Sequence, residues 1–120
     1  MIKQATILRK LCKAIQEKRL VKFYYESKTN DRKEWRTVAP YLVGIRKKDG
    51  HMILSGWFIP TAEQMHENQK AMQKLYLIDR IDKDEIKVLP ETFKKLKVDE
   101  SKINDVPTLE VLCRVDLKKH

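Results

Sequence analysis

Few residues in this sequence are spaced to do covalent or metal chemistry. His51, His66 and His120 have no cysteine or carboxylate at ligand spacing, so no metal site is expected. Cys12 and Cys113 stand at opposite ends of the chain. That is neither a disulfide framework nor a metal-binding pattern, and it sets a reducing compartment as the default. Asp79 and Asp82 form a carboxylate pair only in name. They flank a turn beside Arg80, where ion pairing or capping outweighs acid–base work. The three glycines are too far apart for a phosphate loop, and no GxGxxG, GxxxxGK[ST] or GxSxG motif occurs. The expectation is a protein that is not an enzyme and needs no cofactor.

What the sequence does carry is charge. The net charge is +9 over 120 residues. Residues 1–60 hold 14 Lys/Arg against 5 Asp/Glu, and residues 61–120 hold 12 against 12, so the whole excess lies in the first half. One electropositive face follows, suited to polyanions through counterion release. The plainer alternative is lysine placed for solubility. A 42% apolar fraction is enough for one modest core in a chain of this length, which is read as a single domain over 1–120. No segment approaches the roughly 20 apolar residues of a membrane span, and the N-terminus lacks the apolar core of an export signal. A cytoplasmic location with no membrane partner is expected.

The elements that position these residues can be read from periodicity. Ile7, Leu8, Leu11, Cys12 and Ile15 fall at helical spacing over 3–18. Alternating apolar runs at 20–26, 41–45, 51–58, 75–79 and 109–117 read as strands. Pro40 is expected to interrupt a strand and Pro90 to end one, because proline cannot donate to a sheet ladder. The KKDG turn ending at Gly50 makes a hairpin. Residues 60–74 read as a long loop with one helical turn, and 94–102 as a lysine-rich linker. One helix and five or six hairpin-linked strands imply an α+β, mainly antiparallel fold that curls into a small barrel. The run 109–117 either closes that barrel or pairs across a homodimer.

In this order the segments AIQEKRLVKFYY, WRTVAPYLVGI, DGHMILSGW and KLYLIDRI resemble the WYL domain family, over about Ile7 to Phe93. Arg36 with Pro40, and the IDRI at 78–81, are the best-matching pieces. The name-giving tripeptide departs: counted from Gly50 its positions fall on Met52, Ile53 and Leu54, and only the leucine stands. Trp57-Phe58-Ile59 resembles a degenerate copy further along, but the hairpin length disfavours that register. The resemblance implies an Sm-like, SH3-type small barrel that binds single-stranded nucleic acid or a nucleotide, usually as the sensor domain of a transcription regulator.

It also implies ligand-binding roles for Arg36 and Arg80, the family's basic positions, and for Ser55 and Trp57 on the pocket-lining strand. Guanidinium forks suit phosphate, and an indole offers a stacking face for a base. Each has a plainer role beside it. Trp57 fills the core, Arg80 pairs with Asp79 or Asp82, Arg36 is an exposed strand arginine, Tyr25 packs, and Trp35 is a surface or interface aromatic. One helix cannot make a helix-turn-helix, so a DNA reader is expected on a separate chain. The competing function is a structural or protein-interaction subunit that keeps the fold without a working pocket.

Overall fold

The computed structural model describes residues 2–26, 33–93 and 108–114. Helix α1 (Ile2–Glu17) buries Ile7, Leu11, Ala14 and Ile15, which recur every three to four residues and so share one face. Lys18 ends the helix in a left-handed conformation, φ 53°, and its carbonyl accepts from Phe93 N–H at 2.8 Å. The chain then turns directly into β1 (Arg19–Glu26), whose Val21, Phe23 and Tyr25 face the helix side while Lys22 and Tyr24 face outward.

Five strands form an open antiparallel path in the order β4 (Met72–Leu77), β3 (Met52–Ile59), β2 (Lys33–Arg46), β1, β5 (Ile81–Thr92). β6 (Thr108–Arg114) pairs β2 off that path. The edge strands β4 and β5 are joined by a single 3-10 turn, Ile78–Arg80. The sheet is thus open along its described pairings, where the sequence reading expected a closed barrel.

Pro40 does not interrupt its strand. β2 runs straight through it for 14 residues, because the chain pairs β1 up to Val38 and β6 only from Leu42. Pro40 therefore sits where that side of β2 has no partner, and the missing N–H costs nothing. On the other side it faces Gly56, beside a register shift between Pro40 and Leu42. A Cβ on Gly56 would meet Val38 Cγ1 at 2.4 Å and the Ala39 carbonyl oxygen at 2.8 Å, so the close approach requires glycine.

Pro90 likewise fails to end β5, which is an edge strand and tolerates it. The run 81–89, which reads in the sequence as a turn followed by a short strand, lies wholly within β5, and its acidic residues 82–85 form an irregularity between the Phe23–Ile86 and Tyr25–Ile81 pairs. β4 begins at Met72, three residues ahead of the expected strand, and 78–79 belong to the 3-10 turn. Within the expected loop, Thr61 starts helix α2 (Ala62–His66) with a reciprocal capping box to Gln64.

The C-terminal strand neither closes the sheet between β4 and β5 nor waits for a second copy. It pairs β2 within the chain, Leu42 with Arg114 through Arg46 with Thr108. Residues 115–117 of the expected strand lie outside the described residues. This pairing also overturns the expectation for the cysteines. β6 lies against α1, bringing Cys12 and Cys113 to a Cα–Cα distance of 5.6 Å, and the two form a disulfide across 101 residues. Spacing along the chain is blind to a contact made by an added strand.

Candidate anion-binding site

Arg36 is not an exposed strand arginine. It lies on the inner face of β2, opposite Phe23, and is 8% exposed. Its Nη2 donates to Glu34 Oε1 at 2.8 Å and its Nη1 to Gln69 Oε1 at 3.2 Å. The guanidinium also rests over the Phe58 ring, 5.2 Å from the centroid. Gln69 belongs to the connection that carries α2, and its amide donates to the same Glu34 oxygen at 3.4 Å. A second hydrogen bond, Gln64 Nε2 to the Trp35 carbonyl at 3.0 Å, holds this connection on the sheet.

Lys74 and Tyr76 complete the cluster. They stand opposite Gly56 and Leu54, so both share the face of β3 that carries Phe58. Lys74 Nζ is 4.6 Å from the Phe58 centroid. Loss of hydration pushes its ammonium below the usual lysine range, and the positive Arg36 pushes it further, with Glu34 opposing both. Tyr76 is 2% exposed. Burial pushes its phenol well above the ordinary value, so the hydroxyl stays protonated and able to donate. Tyr25 and Phe23 wall it in, with ring centroids 5.0 and 5.3 Å away.

Two of these buried polar atoms, Arg36 Nε and Tyr76 Oη, have no hydrogen-bond partner among the described residues. Leaving one such donor unsatisfied costs about 1–3 kcal/mol. The cluster thus combines two cations with one carboxylate and holds two unspent donors, an arrangement that attracts an oxyanion.

The other residues singled out in the sequence lie elsewhere. Ser55 is fully buried and accepts from Gln73 Nε2 at 3.2 Å. Trp57 is half-buried against the core. Alternation along β3 puts both on the face opposite Phe58, and hence opposite Arg36. Arg80 ends the 3-10 turn and lines an open cleft of about 460 Å³ with Glu26, His51, Leu77 and Asp79. The four residues therefore do not converge on one site. The tripeptide positions are structural: Ile53 and Leu54 are fully buried, and Met52 packs against the core. Tyr25 packs on Phe23 and Tyr76. Trp35 is half-buried on the outer face, between Lys22 and Lys87 at 5.2 and 5.7 Å. The described residues contain no cluster of three potential metal ligands, and no helix among them is long and apolar enough to cross a membrane.

Lys74 was missed because the polar start of β4, Met72-Gln73-Lys74, reads as loop; Tyr76, Gln69 and Glu34 were missed because nothing in their spacing marks them as neighbours of Arg36. The available signal was the alternation of Lys74 with Tyr76, continuous with the strand that follows.

Nothing among curated proteins matches this chain. Among solved structures, proteasome accessory factor B/C (PafBC) of Arthrobacter aurescens is similar in fold, with a TM-score of 0.60 and 21% identity. The match covers 80% of this chain and 13% of that one, so the chain spans a small part of its neighbour's length. The WYL domain model matches residues 6–86, from the first buried turn of α1 into the middle of β5 and across the whole Arg36 cluster. That match takes in more than half of the sequence, and the chain belongs to the WYL domain family.

Proposed function

We propose that this domain is a non-enzymatic sensor that binds a phosphate-bearing ligand, a nucleotide or short single-stranded nucleic acid, at the Arg36 cluster. The observation that carries the reading is the pair of orphaned donors, Arg36 Nε and Tyr76 Oη, beside the desolvated Lys74. A phosphate oxygen satisfies both donors and offsets the excess positive charge. Gln69 occupies Arg36 Nη1 as a ligand oxygen would, so the α2 connection acts as a cover that the ligand displaces. The curled sheet then works as the Sm-like barrel of the resemblance, in the cytoplasm. The excess charge of residues 1–60 speeds encounter with the polyanion. The readout passes to a DNA-binding regulator on another polypeptide, with a homodimer as the competing assembly.

The test is fluorescence titration of mononucleotides and short single-stranded oligonucleotides at two salt concentrations. Wild type should bind, with affinity falling steeply as salt rises. Arg36→Lys keeps the charge but loses the fork, and should weaken binding about tenfold or more. Absence of binding at low salt refutes the sensor. Arg36 is then a structural ion-pair partner of Glu34, ordered water takes the two donors, and the domain serves as an interaction subunit.

A further inference from the structure

The Cys12–Cys113 pair lies outside the Arg36 cluster and is used by nothing described so far. We propose that it is a reversible redox latch that holds β6 on the body of the domain and leaves the rest of the fold intact when opened. Like the edge strands β4 and β5, β6 is paired on one side only. It has one neighbour, β2, and its five paired positions contain two register irregularities. Cys113 lies beyond residues 6–86, so the strand it tethers is an addition to the family core. The partner cysteine sits on α1, four residues from each of Leu8 and Gln16 and between the buried Leu11 and Ala14. The anchor is therefore a helix packed into the core, while the tethered strand is paired with β2 alone. Both cysteines are half-buried, so a thiolate can reach the bond.

Opening is thiol–disulfide exchange. A thiolate of a thiol reductant attacks one sulfur, and the departing cysteine leaves as a thiolate that takes up a proton. A second reductant thiol then attacks the mixed disulfide and releases the other cysteine. Two electrons and two protons pass to the protein, and the reductant leaves as its disulfide. In a reducing compartment, which the proposed function assumes, such bonds are transient and regulatory rather than permanent. Without the bond β6 leaves, and the backbone groups of Leu42–Arg46 on that side of β2 become an open edge that can accept another strand.

Amide hydrogen exchange of the full chain in oxidised and reduced glutathione buffers, with alkylation of free thiols followed by mass spectrometry, tests the latch. Expected are two free thiols at a cytosol-like ratio of reduced to oxidised glutathione. Exchange at 42–46 and 111–114 should then accelerate about tenfold or more beyond any acceleration at 21–25, which follows only the loss of global stability. The Cys12→Ser/Cys113→Ser variant should show the fast pattern in both buffers. A bond that survives the reducing buffer makes the pair a permanent staple and overturns the proposal. So does reduction without faster exchange, or with an equal acceleration throughout the sheet. None of these outcomes depends on whether an anion binds at Arg36.

Discussion

Arg36 is buried, ion-paired to Glu34 and hydrogen-bonded to Gln69, and in the proposed site it also receives the ligand. Its removal therefore has two effects that can be separated. Arg36→Ala leaves Glu34, half-buried, without its cation, and should cost about 1–3 kcal/mol in urea unfolding as well as abolishing anion binding. Arg36→Lys should spare most of the stability and still weaken binding, which ties the loss to the guanidinium fork. The buried phenols give a pH dependence. Burial pushes Tyr41 up to about 12 and Tyr76 higher still. A group whose folded pKa is raised contributes stability that is complete below its unfolded value of 10.0 and lost above it. Unfolding free energy should thus decline from about pH 10 upward, and Tyr41→Phe should flatten that decline in denaturant titrations at successive pH values. Lys74 acts oppositely: its lowered pKa adds stability as pH rises toward its unfolded value of 10.5, then no more. Arg36 was legible in the sequence through its spacing to Pro40, but its burial was not, because a strand arginine carries no mark of which face it takes.

Among the elements, β2 decides the most. It alone pairs three neighbours, and the device that lets it do so is the Pro40–Gly56 junction. Gly56→Ala forces a methyl against Val38 and backbone and should destabilise by about 1–3 kcal/mol, read by chemical denaturation. The cover over Arg36 is the other element with a testable role. Thr61→Ala removes the α2 cap, worth about 1 kcal/mol, and Gln69→Ala frees Arg36 Nη1. Both should strengthen ligand binding in titrations while leaving the core unchanged. Weaker binding would mean that Gln69 holds the ligand instead of covering its site. Helix α1 and the β2–β3 hairpin were plain in the sequence because their periodicity is long and unbroken. Pro40, Pro90 and the acidic run at 82–85 misled the reading. Their local rule, that proline and turn residues end strands, yields where an edge or a gap in pairing leaves no partner to disappoint.

At the scale of the whole molecule, an N-terminal helix packs on an open sheet and a covalent bond ties the last described strand back to that helix. A loop of this length is the case in which cross-linking restricts the unfolded chain most. Reduction should lower unfolding free energy by roughly 2–5 kcal/mol, seen as a lower urea midpoint. Nothing in the spacing of the two cysteines announced this, since the contact depends on where β6 docks. The family was legible from the order of its segments, whereas the site was not, because the four residues it suggested are divided between two faces and a separate cleft. The central claim is that Arg36 and Tyr76 hold donors meant for a ligand's oxygen. Its most direct test is the side-chain Nε–Hε resonance of Arg36, followed by NMR as a mononucleotide is added at low salt. The account predicts that this resonance shifts and saturates while that of Arg80 stays in place. A stationary Arg36 resonance, with the protein saturated through other residues or not at all, would contradict it.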